Sequence, residues 1–378
     1  MREYVYLDHN ATTVTRPEAI QAAMSIFASV GNPSSVHKPG REARKVVEQA
    51  RTSVAKLVNG SAEDVVFTSG GTEANNLALM ACGRSHKLVS AVEHSSVLKS
   101  GVQIIEVDEN GVVDLDKLDE KLIFGDTPAL VSVMLANNET GVIEPIKDIV
   151  KIAHRHGALV HCDAIQAAGK IPVDVTDLGV DLMSLSAHKI GGSAGSGAVI
   201  APGLGSGTGC SFKGTLLGGG QEHGYRAGTE NLAGIAGFGA AAKAALSGLG
   251  DFAKLEKLRD AIEKAIKIIE PETVIFCKDV ERLPNTTCLT MPNIDSDTQV
   301  MAFDLAGIGV SAGSACSSGK AKASDVLKAM NVSNENARSV IRVSLGWNSK
   351  KSDVEVFIKA WRELSSRISS RKFNLSAA

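Results

Sequence analysis

Lys189 follows directly on a short apolar run at residues 182–185, with Ser186 and His188 just before it. A lysine amine partly withdrawn from water binds its proton less tightly and keeps a lone pair for attack on a carbonyl, which suits a Schiff-base amine. Asp163 ends the preceding apolar run, ALVHC, where a carboxylate can hold a pyridinium nitrogen protonated and strengthen the ring as an electron sink. Gly70-Gly71-Thr72 follows the run VVFTS and opens a helix-forming segment at 73–81. The first N–H groups of a helix lack partners, glycine lets a phosphate approach them closely, and the Thr72 hydroxyl adds a donor. Singly, these read as a surface lysine, a loop aspartate and a capped turn. An amine, a carboxylate and a phosphate cradle together specify pyridoxal phosphate.

Two more polar clusters close apolar runs: Glu93-His94 after LVSAV, and Asn137-Asn138-Glu139-Thr140 after LVSVMLA. In an open parallel sheet ligands sit outside the carboxyl ends of the strands, so five such endings point to one site. Other glycine-rich runs, 191–197, 203–209 and 313–320, lack the spacing or helix opening of nucleotide-binding loops.

The elements that must position these residues are legible in the periodicity. Residues 41–58 place Ala43, Val46, Val47, Ala50, Val54, Leu57 and Val58 on one helical face, with Asn59-Gly60 as the stop. Short apolar runs at 65–68, 88–92, 130–135, 158–161 and 182–185 read as buried strands, separated by helix-period segments such as 144–156. This alternation predicts an α/β fold, a mainly parallel sheet sandwiched by helices, with a smaller α+β domain. A long amphipathic helix at 251–270 sets the boundary: a large domain over 15–255, and a small one over 256–378 that includes residues 1–14. Strand-like runs at 274–276, 287–290 and 340–345 and a terminal helix at 353–368 belong to the latter. A chain of 378 residues exceeds the usual size of a single core, which agrees with two domains.

With 40 Lys+Arg against 42 Asp+Glu and no block of like charge, nothing suggests a nucleic-acid or membrane surface. The N-terminus has no apolar signal core, and no stretch approaches the roughly 18 apolar residues needed to cross a bilayer; the expectation is a cytoplasmic protein with small-molecule and protein partners. The six cysteines contain no C-x-x-C pair and no zinc-finger histidines, so free thiols are expected and no metal. Cys316 sits in a run of small residues expected to be mobile, and Cys210, in the glycine-rich 203–214, matches it on that criterion. The other four fall in helix or strand runs and read as core thiols.

The chain resembles the NifS/IscS cysteine desulfurases, in the class V branch of fold-type I pyridoxal-phosphate enzymes. The resemblance runs from YLDHNATT (6–13) to IRVSLG (341–346) through GNPSSVH, VFTSGGTEANNLAL, NNETG, HCDAIQAAGK, SLSAHKIGG, GGGQEHGYRAGTEN and SAGSACSSG. It implies that Lys189 forms the Schiff base with the cofactor, that Asp163 and Gln166 contact the pyridine nitrogen and the ring hydroxyl, and that His94 stacks on the ring and shuttles protons. Gly71, Thr72, Ser186 and His188 would hold the phosphate, joined by Thr229 from the neighbouring subunit of a homodimer. Asn138 would lie by cofactor and substrate, and Arg342 would take the carboxylate of L-cysteine. Cys316 would be the nucleophile that carries sulfur as a persulfide to an acceptor such as an iron–sulfur scaffold. The alternatives implied are a selenocysteine lyase, a class V aminotransferase or, outside enzymes, a sulfur carrier using Cys316 alone. The run GGSAGSG after Lys189 and SSGKAKASDVL after Cys316 depart from the family pattern without touching these residues.

Overall fold

The computed structural model describes residues 4–100, 102–125, 128–207, 209–313 and 324–376, with side chains through residue 367. Its strands are β1 (Val5–Tyr6), β2 (Val65–Thr68), β3 (His86–Ser90), β4 (Gln103–Ile105), β5 (Ala129–Met134), β6 (Leu159–Asp163), β7 (Leu182–Ser186), β8 (Gly197–Ile200), β9 (Thr286–Thr290), β10 (Ile308–Gly309), β11 (Ser311–Ala312) and β12 (Val340–Ser344). Seven of them form one sheet in the order β2-β8-β7-β6-β5-β3-β4. β4, β3, β5, β6 and β7 are mutually parallel, while β8 is antiparallel to both β7 and β2. β2 therefore runs with β7, and its carboxyl end lies on the same edge as theirs.

The central strands β5 and β7 are buried at every position, the signature of a sheet covered on both faces. Helices α1 (Pro17–Phe27), α2 (Lys38–Leu57), α3 (Gly71–Ala81) and α4 (Ser95–Leu98) come first in the chain. The apolar face of α2, with Val47, Val54 and Leu57, packs into the main core beside β2 and β5. α2 starts three residues before the sequence pattern, because Pro39 suits a first turn and the His37 ring accepts from the Gly40 N–H. A second core gathers Val5, Leu7, Phe252, Ile262, Phe303, Phe357 and Trp361 around β9 and β12. Phe303 and Phe357 meet there with ring centroids 5.1 Å apart.

The sequence pattern and the structure differ at several elements. β8 was not expected. It opens on Gly197, where a Cβ would stand 2.6 Å from the carbonyl carbon of Gly70, so this position must be glycine and the run reads as a loop. The 274–276 run forms only an isolated bridge, Ile275 to Leu289. The long helix at 251–270 is two helices, Leu249–Ala253 and Leu255–Ile269, joined at Lys254, whose backbone stays right-handed. Among the described residues no single helix is long and apolar enough to cross a membrane.

A buried ion pair closes the sheet's outer side. Arg51 on α2 donates from both terminal nitrogens to Glu222, at 2.7 and 2.8 Å, and Glu222 also accepts from the Phe67 N–H of β2 at 2.8 Å. This bonding holds Glu222 and its neighbour His223 at positive φ, 45° and 55°. Removing one partner strands the other charge out of water. Glu222→Ala should cost about 3–5 kcal/mol, measured by urea unfolding, and the double change Arg51→Met with Glu222→Met should recover part of that loss.

Candidate active site

The carboxyl ends of β2, β3, β5, β6 and β7 open on a cavity of about 310 Å³, roughly the lower end of the range for small-molecule sites. From β7 come Ser186, His188 and Lys189, from β6 Asp163 with Ile165 and Gln166, and from the loop after β5 Asn138. His94 arrives from the β3 end, Gly71 and Thr72 from the start of α3, and Arg342 from β12. Ten of the residues singled out in the sequence thus line one space.

Asp163, at the base, is fully enclosed. Its Oδ2 accepts from Asn75 Nδ2 at 2.7 Å and its Oδ1 from the Ile165 N–H at 2.9 Å. Burial pushes its pKa up, and these bonds, with His94 and Lys189 nearby, pull the other way. His94 caps α4 and accepts at Nδ1 from the Ser96 N–H, so the proton of the neutral ring sits on Nε2. Burial lowers its pKa. His188 is pushed down to about 4 by burial and then by Lys189 and Lys170. Lys189 donates to the main-chain carbonyls of Asn10 and Ala11, at 2.5 and 2.8 Å. Arg342 is almost wholly buried and donates to Asp8 and to the Asn138 carbonyl, at 2.5 and 2.9 Å. Its Nε has no partner among the described residues.

The matching family model is that of the class-V aminotransferases, aligned over residues 5–357. The chain belongs to this family. A cysteine desulfurase of Cereibacter sphaeroides is 40% identical over 91% of this chain and 91% of its own length. Cysteine desulfurase IscS of Dictyoglomus turgidum is 39% identical over 94% and 92%. A NifS-like protein from Rickettsia africae superposes with a TM-score of 0.88, 37% identity and coverage of 96% of this chain and all of that one.

Pyridoxal phosphate, the cofactor this family implies, fits the cavity on the chain's own features. Ser186 Oγ is buried without a hydrogen-bond partner among the described residues, and a Cβ on Gly71 would meet Ile165 Cδ1 at 2.4 Å and Ser186 Cβ at 3.3 Å, so glycine keeps this turn open. An anion between that hydroxyl and the first turn of α3 would satisfy both. Thr229 does not line the cavity; it is exposed on the loop beyond Glu222. Cys316 lies outside the described residues. The sequence reading gave no role to Asn10, Ala11, Asn75 or Ser96, which also line the cavity, nor to Asp8. Asn10 and Ala11 lie in YLDHNATT and Asn75 in TEANN, so their motifs were visible while their contacts were not. Cys277, expected in a strand, instead occupies a turn at positive φ, though it is buried as expected.

Glu139, on the loop that supplies Asn138, is buried and accepts from the Ser324 hydroxyl. Burial raises its pKa from 4.5 to about 7, against the pull of Ser324 and Arg342. The folded state therefore keeps a proton that the unfolded chain releases, so stability falls as pH rises between about 4.5 and 7. Glu139→Gln removes this slope. Urea midpoints at pH 4.5 and 7 should show the stability difference moving in favour of the variant by on the order of a few kcal/mol.

Proposed function

We propose that this protein is a pyridoxal-phosphate-dependent cysteine desulfurase that converts L-cysteine to L-alanine and loads the sulfur on Cys316 as a persulfide. The observation that carries the reading is the single cavity joining Lys189, Asp163, His94 and Arg342 beside an unpartnered Ser186 hydroxyl. Gly71, Thr72, Ser186 and His188 would hold the phosphate, Asp163 the ring nitrogen, Gln166 the ring hydroxyl, and His94 the ring face. Bound there, the cofactor supplies an electron sink that acidifies the substrate Cα–H.

The chain's own groups do the rest. Arg342 lines the cavity with Asp8 and the Asn138 carbonyl fixing its guanidinium plane, and this guanidinium would take the substrate carboxylate. Lys189, once released from the cofactor, would take the Cα proton. Cys316 thiolate would attack the substrate sulfur: an S–S bond forms, the Cβ–S bond breaks, its electron pair stays with the carbon fragment, and protonation there gives alanine. Cysteine and one thiol become alanine and one persulfide, and nothing is left over.

Supporting Cys316 is the state of the other thiols. Cys82, Cys162, Cys277 and Cys288 are buried, and burial pushes their pKa values up. Cys210, its competitor in the sequence, is half-buried and raised to about 11, so thiolate is scarce at neutral pH. An exposed Thr229 that misses its own chain's cavity accords with the family's use of this threonine across a homodimer. The sulfur acceptor in this reading is a protein such as an iron–sulfur scaffold.

Anaerobic incubation with L-cysteine should give alanine matched by persulfide and, with a thiol reductant, by sulfide. Cys316→Ser should keep the visible absorbance of the bound cofactor and lose at least roughly 100-fold of this activity. Sulfide release by that variant, a demand for selenocysteine, transamination of a 2-oxo acid without Cys316, or a protein that takes up no pyridoxal phosphate would each overturn the assignment.

A further inference from the structure

Beneath the cavity lies a second amine for which the reaction so far has no use. Lys170 is 4% exposed, and its Nζ donates to Asn10 Oδ1 at 2.8 Å and to Gln166 Oε1 at 2.6 Å. The turn that brings it there passes through Gly169, at φ +75°, where a Cβ would crowd Ala245 and Ile190 at 3.0 Å. Asn10 in turn accepts on its main-chain carbonyl from both Lys189 Nζ and Gln166 Nε2, at 2.5 and 2.9 Å. Lys170 and Lys189 are thus fastened to the same asparagine, one by its side chain and one by its backbone.

We propose that Lys170 is a positioning residue for the cofactor lysine: it fixes which end of the Gln166 amide faces the cavity and clamps the asparagine on which Lys189 rests. This inference rests on the reading of the cavity as a pyridoxal-phosphate site. Lys170 Nζ donates to the carbonyl oxygen of Gln166, which leaves Nε2 as the end directed at the Asn10 carbonyl. A donor at that end would stabilise an ionised ring hydroxyl.

The groups facing the pair are all accounted for by element. His9 comes from the N-terminal segment, His188 from the turn that carries Lys189, and Arg342 from β12, where Asp8 pairs with it; Lys189 also faces Asp163 and His94. No carboxylate bonds to Lys170 among the described residues, and burial with Lys189 and Arg342 nearby holds its pKa well below the usual lysine value.

The test is a pH titration of the visible absorbance of the loaded protein without substrate, in the native chain, Lys170→Met and Lys170→Gln. Loss of the oriented Gln166 donor favours the protonated chromophore, so the midpoint should rise in Lys170→Met by roughly one pH unit. It should rise less in Lys170→Gln, whose amide still donates to Gln166. Unchanged midpoints beside a lowered melting temperature would overturn the proposal and make Lys170 a core residue, as would failure of both variants to fold. Absence of visible absorbance in the native protein would instead overturn the cofactor reading on which the proposal rests.

Discussion

Asn10 uses every polar atom it has. Its N–H donates to Ser344 Oγ, its carbonyl accepts from Lys189 and Gln166, its Oδ1 accepts from Lys170 and Asn285, and its Nδ2 donates to the Asn138 carbonyl and Thr286 Oγ1. These partners come from the sheet edge, from the loop after β5 and from β9 and β12. The same N-terminal segment pairs β1 with β10 and puts Val5 and Leu7 into the second core. One short stretch of chain thereby registers the two cores against each other at the site. Any slip of it would displace the contacts of Lys189 and, through Asn138, those of Arg342.

Around that hub the ionisable groups are shifted chiefly by burial. His9, His94 and His188 have lowered pKa values, as does Lys170, while Asp163, Glu93 and Glu139 have raised ones. All of these shifts favour the uncharged form, as expected where charges are costly to bury. Arg342 is ion-paired with Asp8 beside them. A site of this kind is completed by a ligand that brings its own charges: an anionic phosphate for the α3 turn and a cationic ring nitrogen for Asp163. The distribution of shifts is thus a statement about the ligand as much as about the fold.

Much of this could be read from the sequence because parallel strands announce themselves twice. Their interiors are continuous apolar runs, and the residue that follows each run must emerge at the ligand-binding edge. Lys189, Asp163, His94, Asn138 and Gly71 were found by that rule alone. Arg342 was not, since it lies inside β12, where period and burial describe a structural residue; the family motif was needed to mark it. β8 escaped because its first residue is glycine for a steric reason that exists only once β2 and α3 are in place. Lys170, Asn10 and Asn75 escaped because their importance lies in which atom faces which. Spacing carries no such information: Gln166 and Lys170 look like any (i, i+4) polar pair until the shared Asn10 is seen.

Burying apolar area cannot by itself place these groups, because the two cores meet at the cavity through polar atoms. Apolar packing is non-directional and tolerates small shifts, whereas a hydrogen bond weakens steeply once its geometry is lost. Asp8, Asn10, Asn138 and Arg342 therefore do what packing would do elsewhere, with angular selectivity added. The cost is a set of buried polar groups, not all of which find partners among the described residues; Ser186 Oγ and Arg342 Nε are two of those left short, and both residues line the cavity. Donors left over on residues that line the cavity are places where anions belong. One lies beside the helix start that suits a phosphate, the other on the guanidinium that suits a carboxylate, and the two anionic groups of cofactor and substrate match them in kind.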